Sequence, residues 1–393
     1  MTGQPERSAV GSATALVVGT GLIGTSVGLA LTAAGWTVWL QDRDTENLRL
    51  AGVLGAGHPG LPPSDPTVVL VAVPPAGTAR VTLDLQRTYL TSIFSDVASV
   101  KSQVKLDVER LGVDMTRFVG GHPLAGRERS GPGAARADLF EGRPWVLTQQ
   151  TQTSAAALAV MREVVRVCGA QPFLVSAELH DRAVALVSHV PQVLASLTAA
   201  RLADADPELL ELAGQGLRDM TRIADSDPGL WTDIIGANAG PVLAILDSFA
   251  GDLDLARAEL REVTVARRIG MSKDIDTHQS LSRPVDISPV DISTDLPFMR
   301  ALIERGNAGH RRLPGKHGAA RLEFSVVPVV VPDRPGELAR LLVASGDAGV
   351  NVEDVSIEHS PGQAVGLVEL SVRPEVAGAL AQALRTGGWS VHA

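Results

Sequence analysis

Two polar side chains follow neighbouring strands of a predicted parallel sheet, and their types could support proton and hydride transfer. Gly121-His122-Pro-Leu-Ala-Gly126 comes just after a strand candidate ending at Gly120, and Ser99-Val-Lys101 follows the preceding strand. Ligands of open α/β sheets bind at the carboxyl ends of the strands, so Ser99 and His122 could converge on one hydroxyl group. An imidazole can take a proton near neutral pH while a hydride leaves the same carbon. The alternatives are a merely solvated His122 and, for Lys101, a surface cation.

A glycine-rich turn predicts a dinucleotide site. Gly19, Gly21 and Gly24, with Leu22 and Ile23 between the last two, lie between an apolar strand and a helix. The first glycine permits a tight turn, and the second lets backbone N–H groups approach a pyrophosphate. The third allows the helix to pack closely on the sheet.

The end of the second predicted strand indicates which dinucleotide binds. Asp42 lies where a carboxylate accepts hydrogen bonds from the adenosine ribose, and it would repel a 2′-phosphate. NAD is therefore predicted as the cofactor. Arg43 leaves NADP open because its guanidinium could bind such a phosphate, and a nucleotide-like fold with an empty site is the alternative to both.

The composition favours a soluble, cytoplasmic enzyme that acts on a small molecule. The 393 residues carry a formal net charge of -9, which argues against a general nucleic-acid binder. Cys168 is the only cysteine, and no pair of His or Cys residues has the spacing of a metal site, so we expect no metal. The uncharged stretch from Gly11 to Gln41 is long enough to span a membrane, but its glycines divide it into strand, turn, helix and strand. We therefore expect no membrane partner.

The order of apolar patterns predicts an N-terminal Rossmann-type domain and a helical second domain. Residues 14–175 alternate short apolar strands with helices, which is typical of βαβ units in a doubly wound α/β sheet. Residues 176–270 are rich in Ala and Leu and lack strand patterns, so an all-helical second domain is expected. The predicted strands of the first domain are Ala15–Val18, Thr37–Leu40, Val68–Val73, Ile93–Asp96, Phe118–Gly120, Trp145–Leu147 and Gln171–Val175.

A separate α+β domain is predicted at the C-terminal end. Residues 271–321 are rich in Ser, Asp, Pro and Gly, which indicates a linker with room for a short helix at Leu296 to Arg305. Residues 322–393 follow the order βαββαβ, the ferredoxin-like plan, with a turn at Pro361-Gly362 between the middle strands.

Several motifs occur together in a fixed order over about residues 14–265. They are Gly19 to Gly24, Asp96-Val-Ala-Ser-Val-Lys101, Gly121 to Gly126 with Glu128 and Ser130-Gly131, His180-Asp181, Ser188-His-Val-Pro191, Arg218 to Ala224, Ser226-Asp-Pro228 and Trp231. This combination resembles the prephenate dehydrogenase family. The resemblance implies NAD-dependent oxidative decarboxylation of prephenate to 4-hydroxyphenylpyruvate, of arogenate to tyrosine, or of both. It implies that His122 bonds the ring hydroxyl, that Ser99 orients His122 and the nicotinamide, and that Arg222 binds the ring carboxylate.

The helical domain supplies the other candidate substrate residues. Ser188 and Gln192 are four residues apart, hence on one helix face, so both could point at the substrate. Family members that use prephenate often have histidine at the position of Gln192, so the choice between prephenate and arogenate stays open. Trp231 is either a core aromatic or a wall of the substrate pocket. Considered alone, Arg222 would be a surface residue paired with Asp219.

Three further motif residues are given no catalytic role, and two other functions compete with the family's. His180 and His189 lie in one helical segment and are interpreted as structural, and Arg127 has no assigned role. Another NAD-linked hydroxy-acid dehydrogenase would need a lysine in the helical domain, and residues 151–270 contain none. The second alternative is a non-catalytic amino-acid sensor, built from a Rossmann domain and a small amino-acid-binding module called an ACT domain. Such a sensor would not need His122, Ser99 and Arg222 together.

The start of the last domain resembles an ACT domain, a small regulatory module that binds amino acids. Backbone groups at its first helix could bind an amino-acid carboxylate, so we expect it to sense tyrosine or another aromatic end product. An extra dimerisation domain with an empty site is the alternative. The resemblance to the dehydrogenase family also implies a homodimer through the helical domain. The candidate regulatory residues are Asp333, Gly336, Glu337, Leu338 and Asn351.

Overall fold

The computed structural model describes residues 13–126, 129–277, 296–313, 324–359 and 364–392. The chain divides into two compact units, Met1–Asp254 and Leu255–Ala393, which are treated one at a time. Arg127, the predicted Pro361-Gly362 turn and most of the predicted linker lie outside the described residues.

An eight-stranded sheet forms the centre of the first unit, in the order β3-β2-β1-β4-β5-β6-β7-β8. Its strands are β1 (Thr14–Val18), β2 (Thr37–Gln41), β3 (His58–Pro59), β4 (Val68–Val71), β5 (Ile93–Asp96), β6 (Phe118–Pro123), β7 (Pro144–Thr148) and β8 (Gln171–Leu174). The helices between them are α1 (Leu22–Ala33), α2 (Thr45–Val53), α3 (Pro75–Thr88), α4 (Ser102–Leu111) and α5 (Ala155–Val167). The predicted Rossmann-type sheet is confirmed, and the uncharged stretch to Gln41 forms β1, α1 and β2.

The central strands are apolar without interruption because both faces of the sheet are buried. Along β1, Ala15 and Val17 lie in the core that includes α1 and α5, whereas Leu16 and Val18 lie in the core that includes α3 and α4. Helices on both faces remove every side chain of such a strand from water, which is typical of parallel sheets in α/β proteins.

The sheet differs from the predicted parallel one at its last two strands. β7 runs antiparallel to β6, with His122 opposite Val146, and β8 runs parallel to β7. No α-helix joins β6 to β7 in the described residues, and a parallel neighbour needs such a crossover. The pairing also extends β6 through His122 to Pro123, so His122 lies in a strand and not in the predicted loop.

Helices make up the rest of the first unit, as predicted, and the last of them continues past Asp254 into the second unit. They are α6 (Ala177–Val184), α7 (Val190–Ala200), α8 (Pro207–Leu210), α9 (Gln215–Thr221), α10 (Pro228–Ala237) and α11 (Ala239–Thr277). A wider helical turn, Ala185–His189, joins α6 to α7, and a 3-10 turn, Arg222–Ala224, follows α9. α11 ends seven residues beyond the predicted boundary at Gly270, because no Gly or Pro interrupts the sequence from Met271 to Thr277.

The second unit contains a four-stranded antiparallel sheet in the order β10-β11-β9-β12. Its elements are β9 (Ser325–Pro332), α13 (Glu337–Asp347), β10 (Asp354–His359), β11 (Val365–Val372), α14 (Pro374–Thr386) and β12 (Ser390–Val391), which is the predicted βαββαβ order. The short helix predicted to end at Arg305 is longer, α12 (Pro297–Arg311), and Glu259 accepts hydrogen bonds from its Phe298 and Met299 N–H groups.

Candidate active site

The turn between β1 and α1 has the shape of a nucleotide-binding loop. Gly19 has a φ of 100°, and a Cβ there would collide with the backbone that follows β4. A Cβ at Gly24 would collide with the Gly19 carbonyl oxygen, so both positions require glycine. A Cβ at Gly21 would meet no atom within 4 Å, which leaves this side of the turn open to a ligand. Leu22 and Ile23 begin α1, whose first N–H groups are the donors that a pyrophosphate needs.

Asp42 is held beside this loop by Thr20. The Thr20 N–H and hydroxyl donate to Asp42 Oδ2 at 2.5 and 2.8 Å, and the Asp44 N–H donates to Oδ1 at 2.8 Å. Partial burial alone would raise the pKa of Asp42, but these hydrogen bonds, with Arg43 nearby, hold it below its ordinary value. The carboxylate is therefore ionised at neutral pH, and each oxygen keeps lone-pair capacity for a ribose hydroxyl. The loop and Asp42 together fit NAD.

His122 lies half-buried in β6 and is paired with a second histidine. Its Nδ1 is 2.8 Å from His180 Nε2, and the two rings meet edge to face with centroids 5.0 Å apart. Burial, reinforced by His180 and the Lys101 ammonium, lowers the pKa of His122 well below its ordinary value. His122 is therefore neutral at pH 7 and has a lone pair with which to accept a proton.

His180 and Asp181 join the helical region to the sheet. His180 Nδ1 is 2.8 Å from Asp181 Oδ1, and both residues are 2% exposed. The Lys101 N–H donates to Asp181 Oδ1 and the Ser102 N–H to Oδ2, both at 2.8 Å, so Asp181 binds the first turn of α4. Burial would raise the pKa of Asp181, but the hydrogen bonds from His180, Ser102 and Lys101 hold it below its ordinary value.

Lys101 is a buried cation, which corrects the alternative of a surface lysine. Its side chain is 1% exposed, and Nζ bonds Asp96 Oδ2. The Asp96 carboxylate also accepts the Ala98 N–H at 3.1 Å and the Gly121 N–H at 3.0 Å. Burial lowers the pKa of Lys101, and Asp96 opposes that change. The Lys101–Asp96 pair thus ties the end of β5 to the residue that precedes His122.

Ser99 lies half-buried in the turn between β5 and α4. β5 and β6 are parallel neighbours, so Ser99 and His122 both follow the paired segment at the carboxyl ends of these strands. The side-chain contacts that the structure gives His122 are with His180. A direct action of Ser99 on the reacting groups stays a prediction.

Gln192 connects α7 to the segment that contains Arg222. It is 4% exposed, and its Nε2 donates to Ser226 Oγ at 2.8 Å. Arg222 is exposed at the start of the 3-10 turn, which packs against α7. Ser188 is half-buried in the wider turn that precedes α7. The structure therefore brings the Arg222 segment to the helix that carries Gln192.

Trp231, on α10, contacts a buried polar cluster that includes His189, at the end of the wider turn before α7, and Asn238, directly after α10. Its ring lies edge to face with His189, with centroids 6.1 Å apart. Asn238 Nδ2 donates to the Asp181 carbonyl oxygen at 2.8 Å and lies 3.0 Å from His189 Nδ1. Burial lowers the pKa of His189 to about 4, with His180 contributing and Asp181 opposing. Trp231 is half-buried, which is compatible with both predicted roles, a core aromatic and a wall of the substrate pocket.

The candidate regulatory residues do not all come together. Asp333, Gly336, Glu337 and Leu338 lie at the end of β9 and the start of α13, where Gly336 has a φ of 90°. Asn351 lies beyond the other end of α13 and donates to Glu353 Oε1 at 2.8 Å. The strand register places the two groups at opposite ends of the sheet, because β9 ends opposite Val365 whereas β10 starts opposite Ser371.

Sequence reasoning missed the residues that hold the candidate site in shape. The sequence patterns assign no role to Thr20, Asp96 or Asn238, and they favour a structural role for His180. His122 and His180 are 58 residues apart, so no local pattern could show their contact. The available signal was the His180-Asp181 pair itself, which is one of the motifs that resemble the dehydrogenase family. Among the described residues, no group of three His, Cys, Asp or Glu side chains could hold a metal ion.

Two family models match the chain over most of the first unit. Residues 27–174 match the model described as the nucleotide-binding domain of prephenate dehydrogenase. Residues 176–268 match the model described as its dimerization domain.

Individual relatives agree with these models. The chain is 38% identical over 381 residues to the probable prephenate dehydrogenase NovF of Streptomyces niveus, covering 96% of this chain and 99% of NovF. The structure of A. aeolicus prephenate dehydrogenase in complex with hydroxyphenyl propionate and NAD+ aligns with a TM-score of 0.59 and 27% identity, over 69% of this chain and 99% of that one. Synechocystis arogenate dehydrogenase aligns with a TM-score of 0.55 and 27% identity, over 68% of this chain and 99% of that one.

Proposed function

The chain belongs to the prephenate dehydrogenase family, and we propose that it oxidatively decarboxylates prephenate, arogenate or both. It is an NAD-dependent dehydrogenase. The observation that carries the substrate proposal is the place of His122. This neutral imidazole lies on β6, in the same sheet whose β1–α1 turn and Asp42 fit NAD. Ligands of such sheets bind along the carboxyl ends of the strands, which puts a base and a hydride acceptor within one site.

Proton transfer is the step assigned to His122. When bound, NAD supplies the acceptor for the hydride that leaves the ring carbon bearing the hydroxyl. His122 accepts the hydroxyl proton as that carbon becomes a carbonyl carbon. Loss of the ring carboxylate as CO2 returns its electron pair to the ring, and His122 gives the proton back to the product oxygen. Because the ring becomes aromatic, the chain needs only to orient the substrate and hold one proton.

Substrate recognition is assigned to the helical region. The ring carboxylate needs a cation, and the planar guanidinium of Arg222 can bind it with two parallel hydrogen bonds. Ser188, Gln192 and Trp231 would complete the pocket, and the contact of Gln192 with Ser226 supports this grouping. Gln192 is a neutral amide that cannot carry the charge of a protonated histidine, so both side chains, keto and amino acid, stay within the proposal.

A homodimer through the helical region is part of the proposal. The helix Ala177–Ala200 is long and apolar enough to cross a membrane, yet its His180 and Asp181 bond groups of the sheet domain. Its exposed apolar side chains therefore need another cover, which a second copy would provide. They are Leu179, Leu186, Val187 and Leu197. Sedimentation should give twice the 41.1 kDa of one chain, and a Leu186→Glu variant should shift it toward one chain.

The C-terminal α+β domain is proposed to be an ACT-like module that senses tyrosine or another aromatic end product. Its βαββαβ order and the Gly336 turn before α13 support this. We would expect the site at Asp333 to Leu338. Equilibrium titration with tyrosine tests it: saturable binding that changes the rate is expected, and no binding with no effect on rate would remove the sensing role.

We also propose a cytoplasmic location, which suits the buried free thiol of Cys168.

The function itself is tested by steady-state rates with prephenate and arogenate, each with NAD and NADP. NADH should form from at least one substrate, with NAD preferred over NADP. No NADH from either substrate would exclude the proposed reaction.

A further inference from the structure

We infer that His180 is a positioning residue that, together with Asp181, fixes the proton of neutral His122 on Nδ1 and so leaves Nε2 as the basic atom. The inference rests on the proposed function in one respect only, namely that His122 is the base. The hydrogen-bond chain itself is a property of the free protein.

The chain starts at a carboxylate that can only accept. Asp181 Oδ1 accepts the Lys101 N–H and Oδ2 accepts the Ser102 N–H, both at 2.8 Å. These backbone donors stabilise the ionised form, in line with the lowered pKa of Asp181. An ionised carboxylate has no proton to give, so at the 2.8 Å contact His180 Nδ1 must be the donor.

The donor and acceptor order of this hydrogen-bond chain continues at His180. This residue is 2% exposed, and each of its ring nitrogens faces one partner, Asp181 Oδ1 at Nδ1 and His122 Nδ1 at Nε2. In the proposed chain it is a neutral imidazole, which has one donor and one acceptor nitrogen. Because Nδ1 donates to Asp181, Nε2 must accept.

His122 is the last member of the chain. Its Nδ1 lies 2.8 Å from His180 Nε2 and therefore donates to it. The remaining nitrogen of His122, Nε2, has the free lone pair and takes the hydroxyl proton of the substrate. When His122 gains that proton, the positive charge lies beside an imidazole already polarised by Asp181, which stabilises it.

A pair of variants separates this role from a merely structural one. His180→Leu removes the acceptor, and we expect kcat to fall by about 100-fold with little change in the substrate KM or the NAD Kd. In His180→Gln the amide oxygen can again accept from His122 Nδ1. The kcat of this variant should therefore be at least about tenfold higher than that of His180→Leu. Equal losses in the two variants, or full activity of His180→Leu, would overturn the inference.

Nitrogen NMR of the full chain labelled with 15N-histidine reads the protonation directly, without substrate. The His122 signals are assigned by their loss in His122→Asn. We expect Nδ1 protonated and Nε2 unprotonated, and the reverse, or a doubly protonated His180, would contradict the inference. Asp181→Asn can donate to His180, and it should reverse or mix the two His122 forms. Absence of activity on either dienol would defeat the proposed function and leave this measurement unaffected.

Discussion

Gln192 Nε2 donates a hydrogen bond to Ser226 Oγ at 2.8 Å, and this contact joins α7 to the segment that begins at Arg222. Gln192 is buried, whereas Arg222 is exposed. A buried amide, at the position where the family resemblance leads us to expect histidine, thus holds the segment that we propose to bind the substrate.

Breaking this contact should weaken substrate binding more than the chemical step. Gln192→Leu keeps the volume and removes the donor, at a cost of about 1 kcal/mol, or roughly fivefold in KM for the dienol, with kcat little changed. Ser226→Ala should act in the same direction, and the double variant should be no worse than either. Ser196→Ala is the control, because Gln192 reaches Ser196 only at 3.5 Å. A kcat effect as large as the KM effect would contradict this assignment.

The hydrogen bond from Thr20 should position Asp42 for the ribose and so strengthen NAD binding. Thr20→Val removes the hydroxyl that donates to Asp42 Oδ2 at 2.8 Å but keeps the backbone donor, so we expect the NAD Kd to rise by about three- to tenfold. Isothermal titration with NAD measures it. Thr32→Val is the matched control, since it removes a hydroxyl hydrogen bond from α1, the helix that follows Thr20, to the Ala56 carbonyl oxygen. An unchanged Kd in Thr20→Val would mean that the contact does not position Asp42.

Removing one partner of the buried Lys101–Asp96 pair should destabilise the fold more than removing both charges. Lys101→Met leaves the Asp96 carboxylate buried with two backbone donors and no cation, and should lower the free energy of unfolding by about 3–5 kcal/mol. The double variant Lys101→Met, Asp96→Asn should recover part of that loss, because no buried charge remains. Urea unfolding measures both, and a double variant less stable than Lys101→Met would contradict the explanation.

Stability should fall in mild acid because of His189. Burial lowers its pKa to about 4 in the folded chain, against an ordinary value of 6.5. Between these two pH values the unfolded chain therefore binds a proton at His189 that the folded chain does not bind. Stability is therefore complete above about pH 6.5 and falls as the pH drops toward 4, by less than about 1.4 kcal/mol per pH unit. His122, whose pKa is also lowered, adds to this loss.

The variant His189→Gln isolates the contribution of one histidine. It cannot titrate, and its amide oxygen can still accept from Asn238. Urea unfolding at pH 7 and pH 5 should show a smaller difference between the two pH values than in the wild type. An identical difference in both proteins would show that His189 does not contribute.

The fold and the nucleotide loop were predictable because their signals are local. The glycines at 19, 21 and 24, the strand that precedes them and Asp42 lie within one βαβ unit, so spacing alone places them. The antiparallel β7 was not predictable, because an apolar strand has the same pattern in either direction, and only the missing crossover helix distinguishes the two. Sequence also identified His122 but placed it in a loop.

The interior of the site could not be read from the sequence for a different reason. Lys101 resembles a surface lysine until Asp96, five residues earlier, is known to face it from the end of β5. His180 acts on His122 across 58 residues of chain. Such contacts depend on how helices close over the sheet edge, which residue types and periodicity do not specify.

The most direct test of the central claim compares His122→Asn with the wild type in the preferred dienol and NAD. We expect kcat to fall by about 10²- to 10⁴-fold, the effect of losing a general base, while the NAD Kd measured by titration stays within about twofold. His58→Asn, an exposed histidine of β3, is the matched control and should keep wild-type kcat. A His122→Asn enzyme that turns over at the wild-type rate would show that His122 is not the base.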